Sequence, residues 1–171
     1  VKSCIIGPVV SALPEGVEFV SVHPMAGREV GGIENADDRI FEGANYIVVP
    51  TEENTEEAIR LCEDLGRELG FGRISRLSPG EHDDMIAFLS QLTHCVAVSL
   101  MCASDDERLV DYTGDSFRDL TRIARINDRM WSELFMCNRE QLLRHILVKK
   151  RRNIVCGQTV VALLADCGKT Y

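Results

Sequence analysis

Runs of apolar residues in the first 77 positions predict a small α/β unit. Residues 17–22 and 46–49 are apolar and β-branched and are bounded by Gly and Pro, as buried strands usually are. Residues 72–77 predict a third, shorter strand. Residues 27–44, rich in Gly and charge, predict an exposed loop of the kind that often carries function. These elements are typical of the closing half of a doubly wound sheet, without its opening half.

Helical spacing after Pro50 predicts one amphipathic helix within this unit. Asn54 is the expected N-cap because Glu57 follows three residues later, the spacing of a capping box. Gly70 is the expected stop signal. The apolar residues expected to share the buried face of this helix are Ala58, Leu61, Cys62, Leu65 and Leu69.

From residue 78 onward the apolar spacing is helical. Ser78, followed by Pro and acidic residues, predicts the start of a long helix that ends near residue 103. Residues 104–115 predict a polar loop, and further helices are expected to begin at Ser116, Asn127 and Asn138. Several helices with an apolar surplus indicate a bundle that dimerises. The expected apolar stripe of the long helix is Met85, Phe88, Leu89, Leu92, Val96 and Leu100.

The predicted fold class is therefore α+β and mostly helical. Residues 1–77 form the remnant of a doubly wound α/β sheet, and residues 78–171 form an all-α dimerisation bundle. We expect two domains with a boundary between residues 77 and 78.

Composition narrows the class of protein. Hydrophobic residues make up 45% and charged residues 27% of the 171 positions, which is typical of a soluble globular chain. A net charge of −8 argues against a nucleic-acid partner. The 7 cysteines form no CxxC pair, so we expect a reducing cytoplasm and neither a metal site nor a disulfide framework. Apolar runs near residues 95–103 and 154–165 are too short and interrupted to predict a membrane partner.

His23 is the first candidate for chemistry. It follows the strand predicted at residues 17–22 and is itself followed by Pro, so a rigid turn would hold its imidazole in place. A fixed imidazole suits proton transfer near neutral pH. A His-Pro at a strand end is also commonly an ordinary loop residue, and both interpretations stay open on these residues alone.

The predicted helices carry further polar candidates. Ser90 and His94 are four residues apart and share a helix face, about 6 Å apart along the axis. The competing interpretation of His94 is a core histidine bonded to a neighbouring carbonyl. His82, roughly 18 Å from His94 along the helix, is interpreted as an ordinary residue of the helix start. Arg122 belongs to a basic stripe that is usually a solvated face, and the alternative is that it binds a carboxylate in a cleft.

Six short motifs stand in a fixed order over roughly residues 1–146. They are His23-Pro-Met-Ala-Gly-Arg-Glu29, Phe41-Glu-Gly-Ala44, Ser78-Pro-Gly-Glu-His-Asp83, Ser90-Gln-Leu-Thr-His94, Phe117-Arg-Asp-Leu-Thr-Arg-Ile-Ala124 and Asp128-Arg-Met-Trp131. This ordered set resembles the prephenate dehydrogenase family. The resemblance implies oxidative decarboxylation of prephenate to 4-hydroxyphenylpyruvate in tyrosine biosynthesis, with NAD or NADP as cofactor. It also implies a homodimer held by a helical domain of the 6-phosphogluconate dehydrogenase C-terminal type.

The same resemblance implies roles for individual residues. His23 would be the base that takes the proton of the ring hydroxyl, and Arg122 would bind a substrate carboxylate. His94, with Ser90 beside it, would hold the carboxylate or pyruvyl end of the substrate. The residues expected to complete the pocket are Asp119, which would orient Arg122, together with Trp131 and Glu29.

The chain departs from the family pattern in three places. Val1-Lys2 matches the end of a Ser-Val-Lys element whose serine orients the catalytic histidine, and that serine would precede Val1. No GxGxxG sequence occurs in the 171 residues, so we expect most of the cofactor site to lie upstream and the chain alone to be inactive. Residues 147–171 follow no family pattern.

Two other functions stay open. Arogenate dehydrogenase would use the same base and cleft on a substrate bearing an amino group where prephenate has a keto group. A non-catalytic dimerisation module would give His23, His94 and Arg122 structural roles, and their side chains would then not converge on one cleft.

Overall fold

The computed structural model of the chain describes residues 1–27 and 32–151 and, for residues 148–151, the backbone alone. It divides into two units, Val1–His82 and Asp83–Tyr171. Glu29 and the tail at residues 152–171 lie outside the described residues. The domain boundary that the change of apolar spacing predicts between residues 77 and 78 stays a prediction.

A three-stranded mixed sheet forms the centre of the first unit. Its order is β1 (Ser21–Met25), β2 (Asn45–Val49) and β3 (Arg73–Arg76), with β1 antiparallel and β3 parallel to β2. The strand predicted at residues 17–22 is therefore misplaced, and His23 lies within β1 rather than on a turn after it. Ser21 pairs with Val49, the last residue of β2, so the residues before Ser21 have no strand to pair with.

The residues before β1 instead hold the start of α2 (Glu56–Glu68). The Glu18 carboxylate accepts hydrogen bonds from the backbone N–H of Thr55 at 2.6 Å and from its hydroxyl at 2.9 Å. Thr55, not the predicted Asn54, is the N-cap, and its hydroxyl accepts from the N–H of Ala58. The predicted stop is confirmed, since Gly70 has φ of +83°.

The predicted apolar face of α2 is wrong at its three leucines, whereas Cys62 is partly buried against the core of the first unit as expected. Leu61 and Leu65 are 70% and 52% exposed, whereas Ile59 and Gly66 are buried. The cause is close packing at Gly66, where a Cβ would lie 2.7 Å from Cδ1 of the buried Tyr46 ring. The only α2 residue that can face the sheet at that point is therefore one without a side chain, and the leucines point away.

Helix α1 (Lys2–Ala12) was not predicted, because Gly7 and Pro8 in its centre are poor helix formers. Tertiary packing stabilises it instead, since Ile6 is buried against Ile47 and Val49 of β2. The Lys2 ammonium donates a 2.7 Å hydrogen bond to the carbonyl of Val22 in β1.

From residue 79 the described chain is helical, which confirms the mostly helical α+β class. The helix start predicted at Ser78 is confirmed, and Ser78 and Glu81 form a capping box there. Asn127 caps its helix as expected by accepting from the N–H of Met130. The helix expected from Ser116 instead begins at Asp115 after Gly114, whose backbone is extended. The helices are α3 (Pro79–Ile86), a π-helical segment (Ala87–Gln91), α4 (Leu92–Met101), α5 (Leu109–Tyr112), α6 (Asp115–Thr121), α7 (Asp128–Cys137) and α8 (Arg139–Arg151).

The π-helical segment changes which side of the long helix is buried. A π turn inserts one residue and rotates the following side chains by about 100°, so a stripe drawn on a regular period fails across it. Much of the predicted stripe is consequently exposed: Met85 43%, Phe88 40%, Leu89 54% and Leu100 36%. The core of this unit consists of Ala87, Leu92, Cys95, Leu142 and Ile146.

The continuous helical run Pro79–Met101 is 23 residues long and apolar enough, by length and composition, to cross a membrane. The sequence analysis had instead predicted that the apolar run in this region, near residues 95–103, is too short to span a membrane. Its inner face packs against α8, and two of its polar residues, His82 and Gln91, are buried with polar partners. Those features are typical of the central helix of a helical domain.

Candidate functional site

A pair of histidines forms the most distinctive polar contact of the first unit. His23 Nδ1 lies 2.8 Å from His82 Nε2, and the ring centroids are 5.0 Å apart with planes tilted by 51°. His82 is 2% exposed, and His23 is half-buried. Only one hydrogen can occupy this contact when both rings are neutral, so the bond fixes the tautomers of both rings together.

Local structure explains why these two rings meet. β1 places His23 opposite Ile47 of β2, and β3 runs along the other edge of β2. The N–H of Leu77 still bonds to the Val48 carbonyl at 3.1 Å, so the chain leaves the sheet only at the start of α3. The Ser78 capping box then fixes that start, and His82 lies one turn into the helix.

The surroundings of His23 keep its imidazole uncharged. Burial lowers the pKa of His23 from its ordinary value of 6.5 to about 4, and repulsion from His82 and Lys2 acts in the same direction. At neutral pH the ring therefore has a lone pair that can accept a proton, which is the requirement for a general base.

His82 is the functional candidate that sequence reasoning missed. It was interpreted as an ordinary residue of the helix start, and its separation from His94 excluded a shared ligand but said nothing about residues on other elements. The available signal was its position: it begins a helix directly after β3, two strands away from His23. A second signal was that His23 and His82 each belong to one of the six ordered motifs.

The second unit brings three predicted site residues together. His94 Nδ1 lies 2.9 Å from the backbone carbonyl of Ser90, and its ring stacks on the indole of Trp131 with centroids 3.7 Å apart. A carbonyl oxygen only accepts, so Nδ1 carries the hydrogen and Nε2 is left at the other edge of the ring. Ser90 thus acts on His94 through its backbone. The bond to a neighbouring carbonyl does not distinguish the structural role of His94 from a substrate-binding one.

Asp119 and Arg122 lie on a different part of the same unit. Asp119 is an exposed residue of α6, and the exposed Arg122 begins a 3₁₀ turn, Arg122–Ala124, that packs against α4. His23 belongs to the first unit and the others to the second. Their joint participation in one cleft stays a prediction.

The start of α2 does not fit the phosphates of a dinucleotide. Phosphates bind at helix starts lined by Gly and backbone N–H groups, yet the β2–α2 connection ends in a helix whose first turn carries Glu56 and Glu57. Within residues 1–27 and 32–151 no group of three or more His, Cys, Asp or Glu side chains could hold a metal ion.

Comparisons with known proteins agree with the order of the motifs. The model of the nucleotide-binding domain of prephenate dehydrogenase matches residues 1–74, and the model of its dimerization domain matches residues 78–155. A prephenate dehydrogenase of Bacillus subtilis is 32% identical over 136 residues, which cover 77% of this chain and 36% of that protein.

Solved structures give a similar result. The arogenate dehydrogenase of Synechocystis has a TM-score of 0.73 at 25% identity, covering 89% of this chain and 56% of that one. The prephenate dehydrogenase of A. aeolicus, in complex with hydroxyphenyl propionate and NAD+, has a TM-score of 0.65 at 27% identity, covering 90% and 58%. The chain therefore spans between about a third and three fifths of the length of these proteins.

Proposed function

Because the chain belongs to the prephenate dehydrogenase family, we propose that it supplies the proton-accepting and substrate-binding part of a nicotinamide-dependent dehydrogenase acting on prephenate. The observation that carries this proposal is the state of His23. Its imidazole is half-buried, uncharged at neutral pH and fixed by a hydrogen bond, as a base for a hydroxyl proton should be.

The reaction of prephenate explains why such a base is needed. Prephenate is a cyclohexadiene with a ring hydroxyl, a ring carboxylate and a pyruvyl side chain. When the hydroxyl proton goes to His23 and hydride leaves the same carbon, the ring becomes a dienone. That dienone is a vinylogous β-keto acid, so it loses carbon dioxide and becomes aromatic, giving 4-hydroxyphenylpyruvate.

Two carboxylates of the substrate require cations on a chain of net charge −8. In this proposal Arg122 binds one carboxylate and His94 Nε2 contacts the carboxylate or pyruvyl end, while Trp131 supports the imidazole by stacking. Ser90 fixes the His94 tautomer through its carbonyl. The remaining proposed pocket residues are Asp119 and Glu29.

The hydride acceptor in this proposal is NAD or NADP. The acidic start of α2 and the lack of a glycine-rich GxGxxG loop do not provide for it, so the proposed enzyme needs a dinucleotide-binding segment besides these 171 residues. The proposal therefore includes that the 171 residues alone do not turn over prephenate.

Assembly into a homodimer belongs to the same proposal. The outer side of the Pro79–Met101 run presents an exposed apolar row, and rows of this kind are usually covered in an oligomer. The row consists of Met85, Phe88, Leu89 and Leu100.

A cytoplasmic location follows from the proposed place in tyrosine biosynthesis.

The test is NADH or NADPH formation from prephenate by the protein extended upstream to the length of its relatives. We expect turnover that falls by about 100- to 10,000-fold in His23→Asn, with little change in KM, because only proton transfer is lost. His145→Gln is the matched control, since that imidazole lies in the second unit, 2.6 Å from Asp84.

The other outcomes identify the alternatives. Turnover of arogenate without turnover of prephenate would change the substrate and leave the role of His23 intact, an outcome made relevant by the likeness to the Synechocystis enzyme. Inactivity of the extended, folded protein with both substrates would leave a non-catalytic dimerisation module. Turnover by the 171 residues alone would contradict the proposed need for a further segment.

A further inference from the structure

We propose that His82 is a positioning residue of the base: its Nε2 accepts the hydrogen carried by His23 Nδ1, so that the lone pair of His23 Nε2 stays available to the substrate. This inference rests on the proposed function, in which His23 takes the hydroxyl proton. It gives a role to a buried side chain that the reaction itself does not touch.

The geometry allows only two arrangements of the hydrogen between the rings. The two nitrogens are 2.8 Å apart, which is a hydrogen-bond distance, so one of them donates and the other accepts. If His82 donated, the hydrogen of a neutral His23 would sit on Nε2, and the ring could not act as a base there. If His23 donates, its Nε2 has the lone pair. Only the second arrangement is compatible with a base.

Burial makes His82 suited to hold that arrangement. A side chain that is 2% exposed is enclosed by its neighbours, so the acceptor nitrogen of His82 stays at a fixed place beside His23. Its backbone is also fixed, because its N–H bonds to the Ser78 carbonyl at 2.9 Å within a capped first turn. A rigid acceptor fixes both the tautomer and the plane of the ring it holds.

The proton balance of the reaction requires that the His23 ring is held in one orientation. It does not require His23 to pass a proton on to another group. His23 Nε2 takes the hydroxyl proton as hydride leaves the same carbon, and a nicotinamide bound outside these 171 residues would supply the acceptor. When carbon dioxide leaves, its bonding electrons make the ring aromatic and put the negative charge on the same oxygen. That phenolate takes the proton back from Nε2, so no proton has to reach solvent. Throughout these steps the hydrogen on His23 Nδ1 stays in its bond to His82 Nε2, and that bond stabilises the transient imidazolium of His23.

Tautomers provide a direct test on the chain itself. Histidine labelled with ¹⁵N, observed by long-range ¹H–¹⁵N correlation at pH 7, should show His23 with its hydrogen on Nδ1. In His82→Leu the acceptor is gone, and we expect His23 to shift toward the Nε2–H form preferred in water. His82→Gln, whose side-chain oxygen can replace Nε2 as acceptor, should retain the Nδ1–H form. His145→Gln is the control that should leave the His23 signals unchanged.

Kinetics of the extended protein supply the second readout. We expect His82→Leu to lower kcat about 100-fold or more with KM changed less than about threefold, because a wrong tautomer removes the base without weakening binding. His82→Gln should restore kcat to within about tenfold of the original. A structural defect would instead lower both variants alike and would appear in the thermal unfolding of the chain.

The two proposals can fail separately. Nδ1–H on His23, lost only in His82→Leu, supports the positioning role even if the extended protein turns over neither substrate, a result that would reject only the proposed function. Nε2–H on His23 in the unmodified chain overturns the inference. An unchanged tautomer in a folded His82→Leu, or full kcat in that variant, overturns it as well.

Discussion

The imidazole of His94 lies against the indole of Trp131 at a centroid distance of 3.7 Å, with the two planes only 28° apart. The contact is held from both sides. His94 is anchored by the Ser90 carbonyl, and Trp131 packs its other neighbour, Phe135, at 5.4 Å. A contact between aromatic rings contributes about 0.5–1.5 kcal/mol beyond the area that it buries.

Trp131 is the single tryptophan of the chain, so its fluorescence reports on this contact. An indole emits at longer wavelength when its face is exposed to water, and the His94 imidazole covers one face of this ring. We expect the emission maximum to shift to longer wavelength in His94→Ala. His145→Gln should leave the maximum unchanged. An unchanged maximum in a folded His94→Ala would show that the rings are not in contact.

The buried side-chain amides of Asn138 and Gln91 should contribute to the free energy of unfolding through their hydrogen bonds. Asn138 Nδ2 donates to the Asp83 carbonyl at 2.8 Å and to Gln91 Oε1 at 2.9 Å, and Gln91 Nε2 donates to the Leu134 carbonyl. Asn138→Leu removes the donor of both of these buried hydrogen bonds, which we expect to cost about 1–3 kcal/mol in urea unfolding. Adding Gln91→Leu removes one of the two acceptors, so the double variant should lose less than the sum of the two single variants.

Two helical glycines should respond in opposite directions to alanine. In Gly66→Ala the new methyl group would lie 2.7 Å from the buried Tyr46 ring, and we expect a loss of about 1–3 kcal/mol despite the better helix propensity of alanine. At Gly7 in α1, no atom outside the adjacent residues and the backbone of its own helix lies within 4 Å of that position, so Gly7→Ala should gain up to about 1 kcal/mol. Equal effects in thermal unfolding would contradict the packing of α2 on β2.

Local signals were the part of the fold that the sequence could predict. The start of α3 and the stop of α2 depend on a few adjacent residues, Ser78 with Glu81 and Gly70, and both were located correctly. The first strand was misplaced because its position depends on where β2 ends, which is a contact between distant segments. Helix α1 was missed for the same reason: its stability comes from Ile6 packing on the sheet.

The residues of the candidate site likewise divide into those that a local motif could locate and those that depend on contacts between distant segments. The family motifs identified His23 and His94 by position alone, since each belongs to a short, ordered sequence. The partner of His23 could not be found by spacing along one helix, because His82 reaches it across 59 positions of the chain through the order of three strands. A buried face shifted by a π turn is likewise invisible to a fixed helical period, as the exposure of Leu89 shows.

The lowered pKa of His23 predicts how stability depends on pH. Above its ordinary value of 6.5 the ring is neutral in both the folded and the unfolded chain, so it has no effect on the slope. Between pH 6.5 and about 4 the unfolded chain binds a proton that the folded chain does not, so stability falls as the pH falls. Because the ring is partly exposed and screened, we expect this decline to be on the order of 1 kcal/mol. Urea unfolding at pH 7 and pH 4.5 measures it, and His23→Asn, which retains the carboxylates that titrate in this range, should show a decline smaller by that amount. An equal decline in both proteins would mean that the folded chain binds the proton on His23 as readily as the unfolded one.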